Sequence, residues 1–420
     1  MRFLKLSRVP KVIGLRCREC GAEYEVQATH VCEMCFGPLD AVYDRAALMK
    51  VVSRQRIEDG PKSMWRYRDL LPVEDSVNVV TLGEGFTPLV KADRLGAELG
   101  LRNLYLKNDS MNPTNSFKDR VVSVAISWAR AHGFETIACA STGNLANAVA
   151  AYAARAGLEC FVFIPVDLEP AKVASISVFD PNVVAVRGNY DEVNRLCSQL
   201  LESTPWAFCN INIRPFYAEG SKTLTFETAE QLGWRLPDEI IIPIASGCQF
   251  VRHRQAAREL VEYGLVRSDR VPAFTGAQAL GCAPVYNAFV AGEERVLPVK
   301  PDTIARSIAI GNPSDGVYVN RIARETGGVV EAVSEEEIVE AMRLLARTEG
   351  IFTETAGGVT IGVLAKLARA GRWKGDETIV AYVTGHGLKT ADVLASVNGH
   401  ARRVEIEPTL KSFREQVSIS

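Results

Sequence analysis

From about residue 81 onward, short apolar runs alternate with stretches of helical period, and nothing else in the chain constrains its fold as much. The candidate strands are residues 104–107, 136–139, 160–165, 183–186, 239–243 and 378–384. Each is short and apolar, with Gly, Pro or Ser at or soon after its end. A continuous apolar run is what a strand buried on both faces looks like, and helices must then link one parallel strand to the next. The order therefore predicts an α/β fold with largely parallel sheets. A length of 420 residues suggests two or three domains.

Composition removes several classes of function. Apolar residues make up 47% and charged residues 23%, as in soluble globular proteins. A net charge of −2 offers no basic footprint for nucleic acid and no polybasic membrane patch. No uninterrupted apolar run reaches membrane-spanning length. Arg2, Lys5, Arg8 and Lys11 are not followed by the apolar core of a signal peptide, so a cytoplasmic protein is expected. Six cysteines, at 139, 160, 197, 209, 248 and 282, are scattered in apolar contexts and read as reduced core residues.

The other four cysteines form two knuckles, Cys17-x-x-Cys20 and Cys32-x-x-Cys35, with Gly21 after the first and Gly37-Pro38 after the second. Two such knuckles complete a tetrahedron of thiolates, so residues 12–43 read as a zinc ribbon. With all four ligands cysteine, no coordination position is left open, and the zinc is structural. A disulfide pair or a metal-free ribbon are the alternatives.

Two motifs carry the chemistry. In Asn112-Pro113-Thr114-Asn115-Ser116-Phe117-Lys118-Asp119-Arg120, a lysine stands where a hydroxyl-rich loop enters an apolar helical run. The positive end of a helix dipole disfavours an ammonium, the setting in which a lysine amine can form a Schiff base. Taken alone, the segment reads equally as an ordinary charged helix start. Downstream, Ala140-Ser141-Thr142-Gly143-Asn144 joins a strand to a helix. Its free N–H groups and hydroxyls make an anion site or, more plainly, an N-cap.

Together these motifs resemble fold type II pyridoxal-phosphate enzymes, and among them the threonine synthase family. Further segments share the resemblance: Gly83-Glu84-Gly85-Phe86-Thr87-Pro88-Leu89, Glu219-Gly220-Ser221-Lys222-Thr223 and Gly281-Cys282-Ala283-Pro284. So do Ser307-Ile308-Ala309-Ile310-Gly311-Asn312-Pro313 and Thr384-Gly385-His386-Gly387-Leu388-Lys389, and the likeness spans roughly residues 60–395. It implies two three-layer α/β domains behind the ribbon. Residues 44–115 and 215–400 would form the larger, 116–214 the smaller, and 401–420 a tail.

The resemblance also implies roles. Lys118 would carry pyridoxal phosphate, and its freed amine would remove the α-proton and later a β-proton. Ser246, Gly247, Cys248, Gln249 and Phe250 would form the cradle for the cofactor phosphate, although the segment also reads as a plain strand-to-helix turn. Asn144 would bond the phenolic oxygen, and Thr384 the ring nitrogen. Ser141 and Thr142 would receive the substrate carboxylate or phosphate. Arg214 and Lys222 are candidates for the substrate phosphate, or solvated surface charges. Glu354 matches an acidic position of the family. The chain departs from the family at Tyr217-Ala218, where arginine often precedes the Glu-Gly pair, and at Asn115, often glycine. The implied reaction converts O-phosphohomoserine and water to threonine and phosphate, in an assembly that allows a homodimer. Cysteate synthase and threonine dehydratase share the cofactor residues and are the alternatives.

Overall fold

The computed structural model describes residues 11–395 and 404–416, apart from Thr142, Asp167, Glu169 and Asn189. Its core is a six-stranded sheet ordered Val330–Val333, Ala273–Ala279, Glu239–Pro243, Thr378–Val383, Asn103–Asn108, Leu89–Lys91. Every neighbouring pair is parallel except the last. A second sheet, ordered Asn182–Val186, Glu159–Pro165, Thr136–Ala140, Ala207–Phe208, is parallel throughout. Near the N-terminus, Val12–Cys17 pairs antiparallel with both Glu23–Tyr24 and Leu39–Tyr43.

Glu239–Pro243 is buried from end to end and Thr378–Val383 at all but its first residue, which is why they read as unbroken apolar runs. Successive side chains still divide between two cores, as the pleat requires. Ile240, Ile242, Val380 and Tyr382 join Phe226, Phe250 and Leu260 on one side. Ile241, Ile379, Ala381 and Val383 join Met342, Leu345, Val359 and Leu364 on the other. On that second side, helix Thr355–Arg369 packs so closely on helix Glu335–Glu349 that a Cβ at Gly358 would lie 2.7 Å from Met342.

All six expected strands are present. Besides the three short strands of the cysteine module, four more in the two parallel-rich sheets were not expected. Ala273–Ala279 (AFTGAQA) is rich in small residues of low strand preference, and Leu89–Lys91, Val330–Val333 and Ala207–Phe208 are short. The expected run 378–384 ends at Val383, which leaves Thr384 just past the strand. In the tail, Leu410–Gln416 is a helix with no buried residue.

One fully buried charge cluster ties this frame together. Lys107 Nζ lies 2.8 Å from Glu227 Oε2, and Arg120 contacts Asp109 at 2.7 Å and Glu227 Oε1 at 2.6 Å. Strand Asn103–Asn108 is thereby joined to helices Lys118–Ala131 and Lys222–Gln231.

Candidate active site

The loop before Lys118 is stitched to the end of strand Thr378–Val383. Phe117 N–H donates to Thr384 O at 2.9 Å, and His386 N–H donates to Asn115 O at 3.1 Å. Asn115 adopts φ 59°, a left-handed conformation that asparagine tolerates better than most side chains, which accounts for its place in a glycine position. Lys118 is the first residue of helix Lys118–Ala131, as expected, and lies beside Thr384 on the wall of a cavity of about 230 Å³. Its Nζ reaches Tyr217 Oη at 3.3 Å. Burial holds its amine below the ordinary lysine range, against the pull of Cys248 and Glu354. The sequence pointed to the helix dipole; desolvation is the larger cause.

Two helix N-termini open on the same cavity. Helix Asn144–Ala156 follows the strand Thr136–Ala140. Buried Ser141 accepts from Gly143 N–H at 3.2 Å and Ala146 N–H at 3.1 Å, which leaves its own proton to donate. Thr142 falls outside the described residues. Asn144 Nδ2 donates to both oxygens of Glu354, at 2.9 and 3.0 Å. Burial raises the Glu354 carboxyl, and the Asn144 bonds lower it.

Helix Cys248–Glu262 starts without a side-chain cap. Gly247 has φ 89°, and a Cβ there would lie 2.9 Å from Val319 and 3.0 Å from Asp315, so glycine is required. Gln249 lines the cavity, and its Nε2 is buried without a partner. An uncapped helix start, a glycine turn and an orphaned amide donor together fit a phosphate dianion, so the cradle residues suit pyridoxal phosphate.

Ser246, Cys248, Gln249, Asn144, Ser141, Arg214 and Thr384 all line the cavity. Three expected residues do not: Gly247, whose turn only backs the wall, Phe250 and Lys222. Phe250 is fully buried against Phe274, with ring centroids 6.0 Å apart. Lys222 is buried between Glu219 at 2.7 Å and Glu259 at 2.9 Å, so it serves a salt-bridge network rather than the cavity wall. Conversely, Arg306, Ser307 and Asn312 line the cavity without having been assigned a role. Their segment was recognisable as a motif, but only the fold brings it opposite Lys118. Arg214 is held by the Asp315 carboxylate and by Ser314 Oγ at 3.2 Å.

The four knuckle sulfurs lie within 4.8 Å of one another, with Cys17–Cys35 at 3.4 Å and Cys20–Cys32 at 3.5 Å. Zn–S bonds of about 2.3 Å place tetrahedral sulfurs about 3.8 Å apart, whereas a disulfide needs about 2.05 Å. The spacing suits a metal ion, and none of the ten cysteines is in a disulfide.

A lysine in a desolvated wall between two helix N-termini is the arrangement of a pyridoxal-phosphate enzyme. Residues 80–385 match the family model described as pyridoxal-phosphate dependent enzyme. A second model, described as NinF protein, matches residues 16–39. The chain is 39% identical over 395 residues to threonine synthase of Methanocaldococcus jannaschii, covering 93% of this chain and 96% of the relative. It is 38% identical to that of Methanosarcina acetivorans, covering 91% and 94%. The chain therefore belongs to the threonine synthase family. The fold recurs in diaminopropionate ammonia lyase from Escherichia coli, with TM-score 0.64, 19% identity and coverage of 76% and 89%. It recurs also in threonine deaminase isoform 2 from Solanum lycopersicum, with TM-score 0.61, 21% identity and coverage of 74% and 88%. Among the described residues, no helix is long and apolar enough to cross a membrane.

Proposed function

We propose that this chain is a cytoplasmic threonine synthase, which converts O-phosphohomoserine and water to threonine and phosphate. One observation carries the reading. The cavity offers an uncapped helix start for one phosphate and, separately, Arg214 and Arg306 for another. Besides a place for the substrate carboxylate, a phosphorylated cofactor and a phosphorylated substrate need two phosphate sites, whereas a dehydratase needs one.

Bound pyridoxal phosphate supplies an electron sink for charge developing beside the substrate's α-carbon. Lys118 would tether it and, once free, would take the α-proton and then a β-proton; burial holds its amine below the ordinary lysine range, which makes the neutral, basic form easier to reach. Ser246, Gly247, Cys248 and Gln249 receive the cofactor phosphate. Asn144 would bond the phenolic oxygen, and the Thr384 hydroxyl the ring nitrogen. Ser141 and Thr142 orient the substrate carboxylate, while Arg214 and Arg306 hold the departing phosphate. The six-stranded sheet belongs to the larger domain, 44–115 and 215–400, and the four-stranded sheet to the smaller, 116–214. One structural zinc is held by Cys17, Cys20, Cys32 and Cys35.

The test is an assay of purified enzyme with O-phosphohomoserine. Phosphate and threonine should form in equal amounts, with about one zinc per chain by metal analysis. Turnover of threonine to a keto acid, or of phosphoserine with sulfite, in place of this reaction would overturn the assignment.

A further inference from the structure

We propose that the cysteine module is a positioning element of the active site. Arg18, between the knuckle cysteines Cys17 and Cys20, holds Asp315, and Asp315 presents Arg214 to the substrate's phosphate. The proposal rests on the reading of Arg214 given above.

Asp315 is fully buried and stands at the N-cap of helix Gly316–Thr326. An aspartate there ordinarily accepts from the first free N–H groups of the helix. This one makes no side-chain cap bond. Its oxygens turn instead to two guanidinium groups. Oδ1 accepts from Arg18 Nη1 at 2.7 Å, and Oδ2 accepts from Arg214 Nη2. One carboxylate thus bridges the module to the cavity wall. Its backbone N–H donates to Ser246 O at 2.8 Å, so it also backs the turn assigned to the cofactor phosphate.

Arg18 is fixed from several sides. Asp40, on the module's third strand, accepts from Nη2 at 2.7 Å and Nε at 2.9 Å. The Tyr318 ring lies 4.6 Å from the guanidinium. The Arg18 N–H donates to Pro38 O at 3.0 Å, which pins the residue between the two knuckles. A planar fork used on both edges has little freedom to relax.

The charge count gives the direction of the effect. With Arg18 in place, the Asp315 charge is shared between two cations, and Arg214 keeps a net positive field toward the cavity. Without Arg18, both Asp315 oxygens are available to Arg214, which is then neutralised and drawn back from the phosphate.

The experiment compares Arg18→Gln, Asp40→Asn and Arg214→Gln as cofactor-loaded enzymes, each checked for zinc content and visible absorbance. The probes are steady-state kinetics with O-phosphohomoserine and calorimetric binding of inorganic phosphate. Arg18→Gln should raise KM roughly tenfold and weaken phosphate binding by a similar factor, with kcat within about twofold. Asp40→Asn, one contact further out, should shift both in the same sense by a smaller factor. Arg18→Lys should restore part of the loss. A KM and phosphate affinity unchanged in Arg18→Gln and Asp40→Asn, while Arg214→Gln weakens both, would overturn the relay alone. If Arg214→Gln leaves both unchanged, the assignment of Arg214 itself fails, and the relay with it. Should Arg18→Gln lose zinc or fail to fold, Asp40→Asn and Arg18→Lys decide the question by the same two readouts.

Discussion

Lys118 and Arg120 lie two residues apart on one helix, about 200° around its axis, and meet opposite surroundings. Arg120 is fully buried and donates to Asp109, Glu227, Thr87 and Thr223 at 2.6–3.2 Å. Among the described residues, the Lys118 side chain makes one hydrogen bond, 3.3 Å long, to Tyr217 Oη. A buried charge with every donor satisfied holds a fold together, and one with donors to spare in a desolvated wall is available for chemistry. The same contrast separates Lys222, enclosed by Glu219 and Glu259, from Arg214 on the cavity wall.

The sharpest way to break this comparison is to remove each charge in turn. Lys118→Ala should lower threonine formation by at least about a thousandfold and abolish the cofactor's covalent attachment, read by borohydride reduction and peptide mapping. The unfolding midpoint of the cofactor-free protein should barely move. Residual activity above a tenth of wild type, or a label on Lys107, would end the assignment of Lys118.

Glu227→Gln should do the reverse. It leaves Arg120 and Lys107 buried with one carboxylate fewer, at a cost of about 3–5 kcal/mol in denaturant unfolding. Molecules that fold should keep the cofactor absorbance. Acid gives a second handle. Burial pushes the Glu227 carboxyl up, but Arg120 and Lys107 outweigh it and hold the group at about 2. A folded-state value below the ordinary 4.5 means the folded protein binds fewer protons. The stabilisation is therefore complete above about pH 4.5 and is lost as pH falls toward 2. Wild type should lose more stability across that window than Glu227→Gln, and equal slopes would show that the cluster is not what holds this helix.

The comparison also explains what was legible in the sequence. Lys118, Asn144, Ser246 and Thr384 each lie in a short contiguous motif at the end of a strand or the start of a helix, and local chemistry marks them. Runs such as Glu239–Pro243 are strands by composition alone. Lys222 sat in an equally clear motif, yet one of its partners, Glu259, lies 37 residues away on helix Cys248–Glu262, and no local signal announces that pairing. Asp315 and Arg306 were illegible for the same reason. Their meaning depends on which distant cation or cavity they face. Phe250 lies one helical step past Gln249, and that step turns it from the cavity into the core.

The finest distinction concerns Thr384, where the expected effect is smallest. It is 7% exposed on the cavity wall, and its hydroxyl makes no hydrogen bond among the described residues. Phe117 binds its carbonyl, so the backbone is fixed whatever the side chain. Thr384→Ser keeps the hydroxyl and removes one methyl, worth about 0.8 kcal/mol of burial, so activity should stay within about fourfold of wild type. Thr384→Val keeps the shape and removes the donor, and should cost more. Thr384→Asp would bring a carboxylate close to Glu354, whose own carboxyl burial already raises, since Gly385 packs against that side chain. A carboxylate facing the ring nitrogen raises its proton affinity, where a hydroxyl leaves the ring mostly neutral. The Asp variant should therefore bind cofactor with altered visible absorbance and make less threonine per substrate consumed. If Ser, Val and Asp variants share one spectrum and one product yield, Thr384 does not face the ring, and its hydroxyl is not part of the site.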